Sequence, residues 1–584
     1  MRRRPLVRLS AIVAGLTLTL QPSTDVNAAA SYDWLQFNGD AQHSGNNTHE
    51  TQLSSANVAS LARSFQVTLP AIADGAPVVL GGVSTTSGVH DLLFLTTKAG
   101  HLLALDAHTG ATVWSVQHGP GSCFVNNGSS PCFTTSSPAV DPGRGFVYTY
   151  GLDGSVHKHS VATGTEVTTG GWPELTTNKP YDEKASSALS IATVAGGANY
   201  LYVTHGGYPG DNGDYQGHVT TINLASGAQN VFNAACSGQP VHFVGSPSTP
   251  DCASVRSAIW ARGGVAYSAA LGKIFMGTGN GDFTPSLGYW GDSVMALTPD
   301  GLGSGGQPLD TYTPGDFQSL ENGDLDLGSV APAILPTPAS SRVQDLAVQS
   351  GKDGQLRLLD LSNLSSQGGP GHTDGQIGSV ISLPQGATSV FAAIATWVNP
   401  VDASTWVFVA TSNGVSGLRL AIDASGNPSL ATMWKLTTGG TSPIVANNVL
   451  YYARSGTVLA LDPTSGTQLW TGSIGSIHWE SPVVANGTLY ITDESAHLTA
   501  FVGPTAAPAT PLGMLCVGLA LMLGVGLAVS RQGGPKKVAG SAANWDTAWL
   551  AELDRGAEAA KARGETAAEW TDVRAMILKR LGRP

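Results

Sequence analysis

The chain has 584 residues, 73 of them glycine, and only 12% are charged. That composition suits a loop-rich β protein and excludes a coiled coil or a disordered chain. The net charge of −12 excludes the basic footprint that a nucleic-acid partner needs.

The chain opens with Arg2, Arg3, Arg4 and Arg8, then the apolar run Leu9–Leu20, then small residues at Ala28–Ala30. This is the pattern of a secretory signal peptide over residues 1–30, with an uncleaved anchor as the alternative. Five cysteines suit export. Cys123 and Cys132 flank one short polar loop and Cys236 and Cys252 another, which predicts two local disulfides in an oxidising compartment. No CxxC or CxxCH occurs, so neither covalent haem nor a zinc site is expected.

Residues 33–70 read as an irregular lead-in ending in an alternating strand, Ala62–Leu69. Repeats follow. Residues 101–114, HLLALDAHTGATVW, and 457–470, TVLALDPTSGTQLW, align on Ala-Leu-Asp, a Gly four residues later and a Trp four beyond that. The Asp can accept turn N–H groups, the Gly allows a positive φ, and the Trp can pack between neighbouring sheets. Weaker copies lie near Phe146–Val167, Tyr200–Phe232, Lys273–Asp310, Asp345–Leu383 and Trp406–Trp434. In the fourth unit the strand-like runs Lys273–Thr278 and Asp292–Leu297 flank the Gly-rich loop Gly277–Gly281, which can bring backbone close to a ligand.

The last copy, residues 481–501, has only three strands. The lead-in strand Ala62–Leu69 would supply its fourth. The expectation is an all-β fold, an eight-bladed β-propeller over residues 31–501 whose ends close without an open edge. An open β-solenoid is the alternative.

A Pro/Ala linker, 502–511, precedes residues 512–530, an uncharged apolar run (Leu512–Val529) that reaches roughly 27 Å as a helix and so just spans a bilayer core. Arg531, Lys536 and Lys537 follow, which places residues 531–584 in the cytoplasm and the propeller outside it. The run also looks like the C-terminal sorting signals of bacterial envelope proteins. The tail reads as a helix pair with a capping box at Thr566 and Glu569. Its pattern resembles the antitoxin-like proteins of addiction modules over about 40 residues; a plain docking helix pair is the alternative.

Over roughly residues 33–501 the repeats resemble the quinoprotein (PQQ) propeller family. That family includes alcohol and polyvinyl-alcohol dehydrogenases and non-catalytic assembly-factor relatives. Within it, Ile259-Trp260 followed by GVAY and GTGN is similar to the segment whose Trp forms the floor under the quinone. Asn280 falls on the family's Ca²⁺ ligand. Asp324-Leu-Asp326-Leu-Gly-Ser is similar to the segment of the catalytic base, which implies Asp324 as base and a calcium neighbour, with Asp326 beside it. Gly351-Lys352-Asp353-Gly354 is similar to the segment whose cation contacts the quinone oxygens. The family's metal-binding Glu has no counterpart in register; Asp211 and Asp214 stand nearest, so the calcium set is incomplete. Each residue also has a plain reading. Trp260 suits an inter-blade core, Asn280 a left-handed turn, Asp324 and Asp326 turn caps, and Lys352 a hairpin tip.

Two function classes follow. The resemblance implies a PQQ-dependent dehydrogenase of alcohols or polyols that passes electrons to a separate acceptor. The incomplete metal set leaves open a cofactor-free propeller that binds a ligand or protein partner, as a scaffold or a transmembrane sensor. In both, the protein sits in a bacterial cell envelope, held by its C-terminal helix. A quinone pocket requires Trp260, Asn280, Asp324 and Lys352 to converge at one end of the central channel; a scaffold does not.

Overall fold

A computed structural model describes residues 31–126, 128, 130–241 and 252–503. The expected signal peptide, the run 512–530 and the tail 531–584 lie outside these residues. Among the described residues no helix is long and apolar enough to cross a membrane.

Eight antiparallel sheets follow one another along the chain, each a blade. Blade 1 comprises Val78–Thr85, Gly88–Thr96, His101–Asp106 and Thr112–Gln117. Blade 2 begins at Ala139–Val140, blade 3 at Ser190–Thr193, blade 4 at Ala266–Ser268 and blade 5 at Ala333–Ile334. Blade 6 begins at Ala395–Val398, blade 7 at Ile444–Ala446 and blade 8 at Val483–Ala485. As the repeat pattern requires, the fourth strand of blade 8 is Ala62–Thr68, antiparallel to His497–Val502. The two ends of the propeller are thereby joined in one sheet. A short segment, Asn46–Asn47, adds in parallel to the first strand of blade 7.

Alternation along each strand builds the core. Successive side chains point to opposite sheet faces, and here both faces are covered. Ile444 packs toward blade 8 while Val445 packs toward blade 6, and Tyr451 and Tyr452 divide in the same way. Among the described residues, each pair of consecutive blades shares one apolar cluster, including the pair formed by blades 8 and 1.

The repeat motif has a direct structural meaning. Asp106 Oδ1 accepts the N–H groups of His108 and Thr109, and Asp462 Oδ1 those of Thr464 and Ser465. The turn glycines Gly110 and Gly466 have φ of 72° and 70°. The Trp of one blade reaches the turn of the next. Trp114 Nε1 donates to Val161 O, Trp434 Nε1 to Pro463 O and Trp470 Nε1 to Leu61 O, each at 2.9 Å. A Cβ on Gly466 would lie 2.7 Å from the Trp434 ring. Gly466→Ala therefore combines a positive-φ penalty with overpacking and is expected to cost about 2 kcal/mol. Urea unfolding checks this; an unchanged midpoint would contradict the interlock.

Both expected disulfides are formed, Cys123–Cys132 and Cys236–Cys252, with Cα separations of 5.5 and 6.2 Å. The fourth blade departs from the sequence reading in detail. Its third strand starts at Val294, not at Asp292, because Asp292 takes a left-handed conformation with φ of 47°. A two-stranded ribbon, Phe283–Thr284 with Tyr289–Trp290, fills the interval after the Gly-rich loop.

Candidate active site at one end of the propeller

The connections that lead into each first strand and the turns between second and third strands supply the residues of interest. Trp260 lies in the connection to blade 4, Asp324 and Asp326 in the connection to blade 5, and Lys352 in the turn between the second and third strands of blade 5. Asn280 follows the second strand of blade 4.

These residues meet. Lys352 Nζ lies 2.6 Å from Asp326 Oδ2 and 2.9 Å from Asp324 Oδ1. The same ammonium is 5.4 Å from the centroid of the Trp260 ring. Asn280 joins through its backbone, whose N–H donates to Asp326 Oδ1 at 2.6 Å. Lys352 is fixed a second time by its own N–H, which donates to the Asp326 carbonyl at 3.0 Å. Glycine is required at 279, since a Cβ there would lie 2.6 Å from Asp326 Oδ1 and 3.2 Å from Trp260 Nε1.

The two aspartates are not equivalent. The Asp326 side chain is 5% exposed and that of Asp324 is 66% exposed. Asp324 caps the short helix Phe317–Gly323 in a left-handed conformation, a helix that no periodicity in the sequence announces. Burial pushes the Asp326 carboxyl up, and the Lys352 ammonium opposes this. Burial would lower the Lys352 ammonium, yet Asp326 and Asp324 together raise it.

Several residues escaped the sequence reading. Phe391 and Trp479 join Trp260 in an aromatic triad, with centroid separations of 5.7 to 5.9 Å and tilted planes. All three stand shortly before a first strand, of blades 6, 8 and 4, so the shared position in the repeat was the available signal. Arg262 is buried under Trp479, its guanidinium 5.6 Å from that ring, and donates to the carbonyls of Thr135 and Asp74. Behind Asp326 sits Asp292, 1% exposed, whose Oδ1 accepts the Leu327 N–H at 2.9 Å. Its Oδ2 has no partner among the described residues, and burial pushes its carboxyl up to about 8. A cavity of about 470 Å³ adjoins the triad, lined by Phe391, Trp479, Arg262 and the hydroxyl-bearing Thr411, Thr441 and Ser442.

The arrangement fits a planar, anionic quinone. Trp260 offers a ring only partly covered and Lys352 places positive charge over it, while the cavity lies on the Phe391 and Trp479 side of the triad, with Arg262 in its wall. It does not fit a calcium ion. The Lys352 ammonium takes the place between the two carboxylates that a cation would need. Asp211 accepts from Tyr215 and Asp214 pairs with the buried Lys179, so both serve partners other than Asn280.

Comparison with known proteins agrees with this architecture. The PQQ-like repeat family model described as outer membrane protein assembly factor BamB matches residues 60–246 and 398–507, just over half of the chain. Among solved structures, the quinohemoprotein alcohol dehydrogenase from Comamonas testosteroni is 17% identical, covers 83% of each chain and gives a TM-score of 0.54. Quinohemoprotein alcohol dehydrogenase ADHIIG from Pseudomonas putida HK5 is 14% identical, covering 90% of this chain and 85% of its own, with a TM-score of 0.54. A europium-containing methanol dehydrogenase is 14% identical over 80% of this chain and 98% of its own, with a TM-score of 0.55. At these identities the likeness is one of fold. No curated protein sequence matches the chain.

Proposed function

Because the chain belongs to the PQQ-like repeat family described as outer membrane protein assembly factor BamB, whose propeller hosts more than one function, its role has to be argued from its own site. We propose that it is a PQQ-dependent oxidoreductase of alcohols or polyols, working outside the cytoplasm and anchored through residues 512–530. The observation that carries this reading is the convergence of Trp260, Asp324, Asp326 and Lys352 at one end of the propeller.

Bound PQQ would supply the two-electron acceptor. Trp260 gives a flat ligand a stacking platform. Lys352 presents charge over that ring, 5.4 Å from its centroid, where negative charge on oxygen would be stabilised. Asp326 takes the proton of the substrate hydroxyl, its carboxylate aimed by the Asn280 N–H and by Lys352. Asp324, at the rim, holds the other side of Lys352. Phe391 and Trp479 narrow the approach and keep water from the reacting hydroxyl.

A cofactor-free scaffold or sensor is the second reading. It is favoured by the Lys352 ammonium, already neutralised by two carboxylates, and by the lack of fit for calcium. The deciding experiment adds PQQ, a dye acceptor and a panel of alcohols to the purified chain. The oxidoreductase reading expects dye reduction that Asp326→Asn abolishes while quinone binding persists. Absence of both binding and turnover leaves the scaffold reading.

A further inference from the structure

The cavity beside Phe391 and Trp479 lies at the same end of the propeller as Lys352, but on the side of blades 6 and 7. Its wall is made by the connections leading into blades 6, 7 and 8 and by the turns between second and third strands of blades 6 and 7. Arg262 joins from the connection to blade 4. Trp260, Asn280, Asp324, Asp326 and Lys352 are not in that wall. Ser389 links the two places, its hydroxyl donating to the Lys352 carbonyl at 3.0 Å.

Backbone closes the cavity between blades 6 and 7. The Gly440 N–H donates to Thr411 O at 2.9 Å and the Thr441 N–H to Ala453 O at 2.7 Å, which draws residues 437–442 in between the two turns. A Cβ on Gly439 would collide with the Ser412 and Thr411 carbonyls, and one on Gly440 with the Ala453 carbonyl and the Tyr452 ring, so the close approach requires both glycines.

The chemistry of the wall is one-sided. The chain carries a net charge of −12, yet this wall holds Arg262 and Arg454 and no aspartate or glutamate. Arg262 is 2% exposed, and its two amino groups donate to neutral carbonyls, of Thr135 and Asp74, which leave its charge uncompensated. Its Nε has no partner among the described residues. The Asp74 carboxylate nearby already holds Lys98 at 3.0 Å and accepts from His478 Nδ1 at 3.2 Å. His478 adds no charge, because its Nε2 accepts the Trp479 indole N–H; instead it fixes that ring. Arg454 is exposed and makes no ion pair among the described residues.

Eight lining residues carry a hydroxyl. Those of Ser412, Thr437 and Thr438 make no hydrogen bond among the described residues. Ser442, 1% exposed, accepts the Ala393 N–H at 2.9 Å and keeps its own proton for another acceptor. Phe391 and Trp479 add apolar ring faces. A volume of about 470 Å³ is that of a small-ligand pocket. Cations without an acid select an anion. Unpaired hydroxyls select a ligand that both donates and accepts hydrogen bonds. Aromatic faces suit a ligand with apolar C–H surface. A sugar acid has all three properties.

We infer that this cavity binds a small polyhydroxylated carboxylate, a sugar acid, with the Arg454 guanidinium on the carboxylate, Arg262 as a fixed second charge, and Ser412, Thr437, Thr438 and Ser442 on the ligand's hydroxyls. This binding requires no quinone, so its failure would leave the quinone site untouched.

The test is isothermal titration calorimetry of the full chain, without PQQ, against D-glucuronate, D-glucose and acetate. The expected result is saturable one-to-one binding of glucuronate, roughly tenfold or more tighter than either glucose, which lacks the charge, or acetate, which lacks the hydroxyls. Arg454→Gln, at an exposed side chain, is expected to weaken glucuronate roughly tenfold or more and to leave glucose unchanged. Thr438→Val is expected to weaken both. Arg63→Gln, an exposed position on the fourth strand of blade 8 and outside the cavity, is expected to change neither. No saturable binding, equal binding of glucose and glucuronate, indifference to Arg454→Gln, or displacement of glucuronate by PQQ would overturn the assignment. Tighter binding of glucose 6-phosphate than of glucuronate would overturn it in favour of a sugar phosphate.

Discussion

Lys352→Ala is expected to abolish saturable PQQ binding, to lower any alcohol oxidation by roughly 10²- to 10³-fold, and to destabilise the propeller by about 2–3 kcal/mol. The stability part follows from Asp326. Its side chain is 5% exposed and, among the described residues, its Oδ2 is held by Lys352 alone. Removing the ammonium leaves a buried carboxylate with only the Asn280 N–H as a partner. A fully buried orphan charge would cost more, but Lys352 also reaches the exposed Asp324, so solvent is near. The functional part follows from the same ammonium lying over the Trp260 ring, 5.4 Å from its centroid. A double variant separates the two. Lys352→Ala with Asp326→Asn removes both charges and is expected to regain most of the lost stability without regaining activity. Urea unfolding and PQQ titration of both variants check this. A Lys352→Ala protein that is as stable as the parent and still binds PQQ would contradict the site.

Asp292→Asn is expected to stabilise the protein by on the order of 3 kcal/mol at pH 7 and to change it little at pH 4. The carboxyl is 1% exposed, has one oxygen without a partner among the described residues and is pushed up to about 8 from an ordinary 3.8. Because the folded value is the higher one, the folded chain holds a proton across this window that the unfolded chain releases. The stability is full below about pH 4 and is lost as pH rises toward 8. Asparagine has no proton to release. It keeps an oxygen for the Leu327 N–H and tolerates the left-handed conformation of this position. Urea unfolding at the two pH values gives the comparison. An equal change at both, or a loss at pH 7, would show that ionisation of Asp292 is not what limits stability there.

The fold was legible because its repeat unit states its own mechanics. Asp106, Gly110 and Trp114 announce a capped turn and an aromatic bound for the next blade, and the structure seats that aromatic on the neighbouring turn. A last repeat short of one strand, together with a lone strand at Ala62, was enough to define ring closure. The placement of the candidate residues was legible where a local motif set one in a connection or a hairpin turn, as for Trp260 and Asp326 in connections and Lys352 in a turn. It was illegible where chemistry depends on residues far apart in the chain. No motif around Trp260 names Phe391 or Trp479, and their shared place before a first strand becomes a contact only because blades 4, 6 and 8 bring those connections together. The unequal exposure of Asp324 and Asp326 depends on a single helical turn before them.

The central claim is that this end of the propeller holds a quinone on Trp260, and the most direct measurement is a PQQ titration of the purified chain, with and without Ca²⁺, following tryptophan fluorescence and quinone absorbance. The account expects saturable quenching that does not require Ca²⁺ and is lost in Trp260→Ala. Binding that demands Ca²⁺, or no binding at high micromolar PQQ, would contradict it.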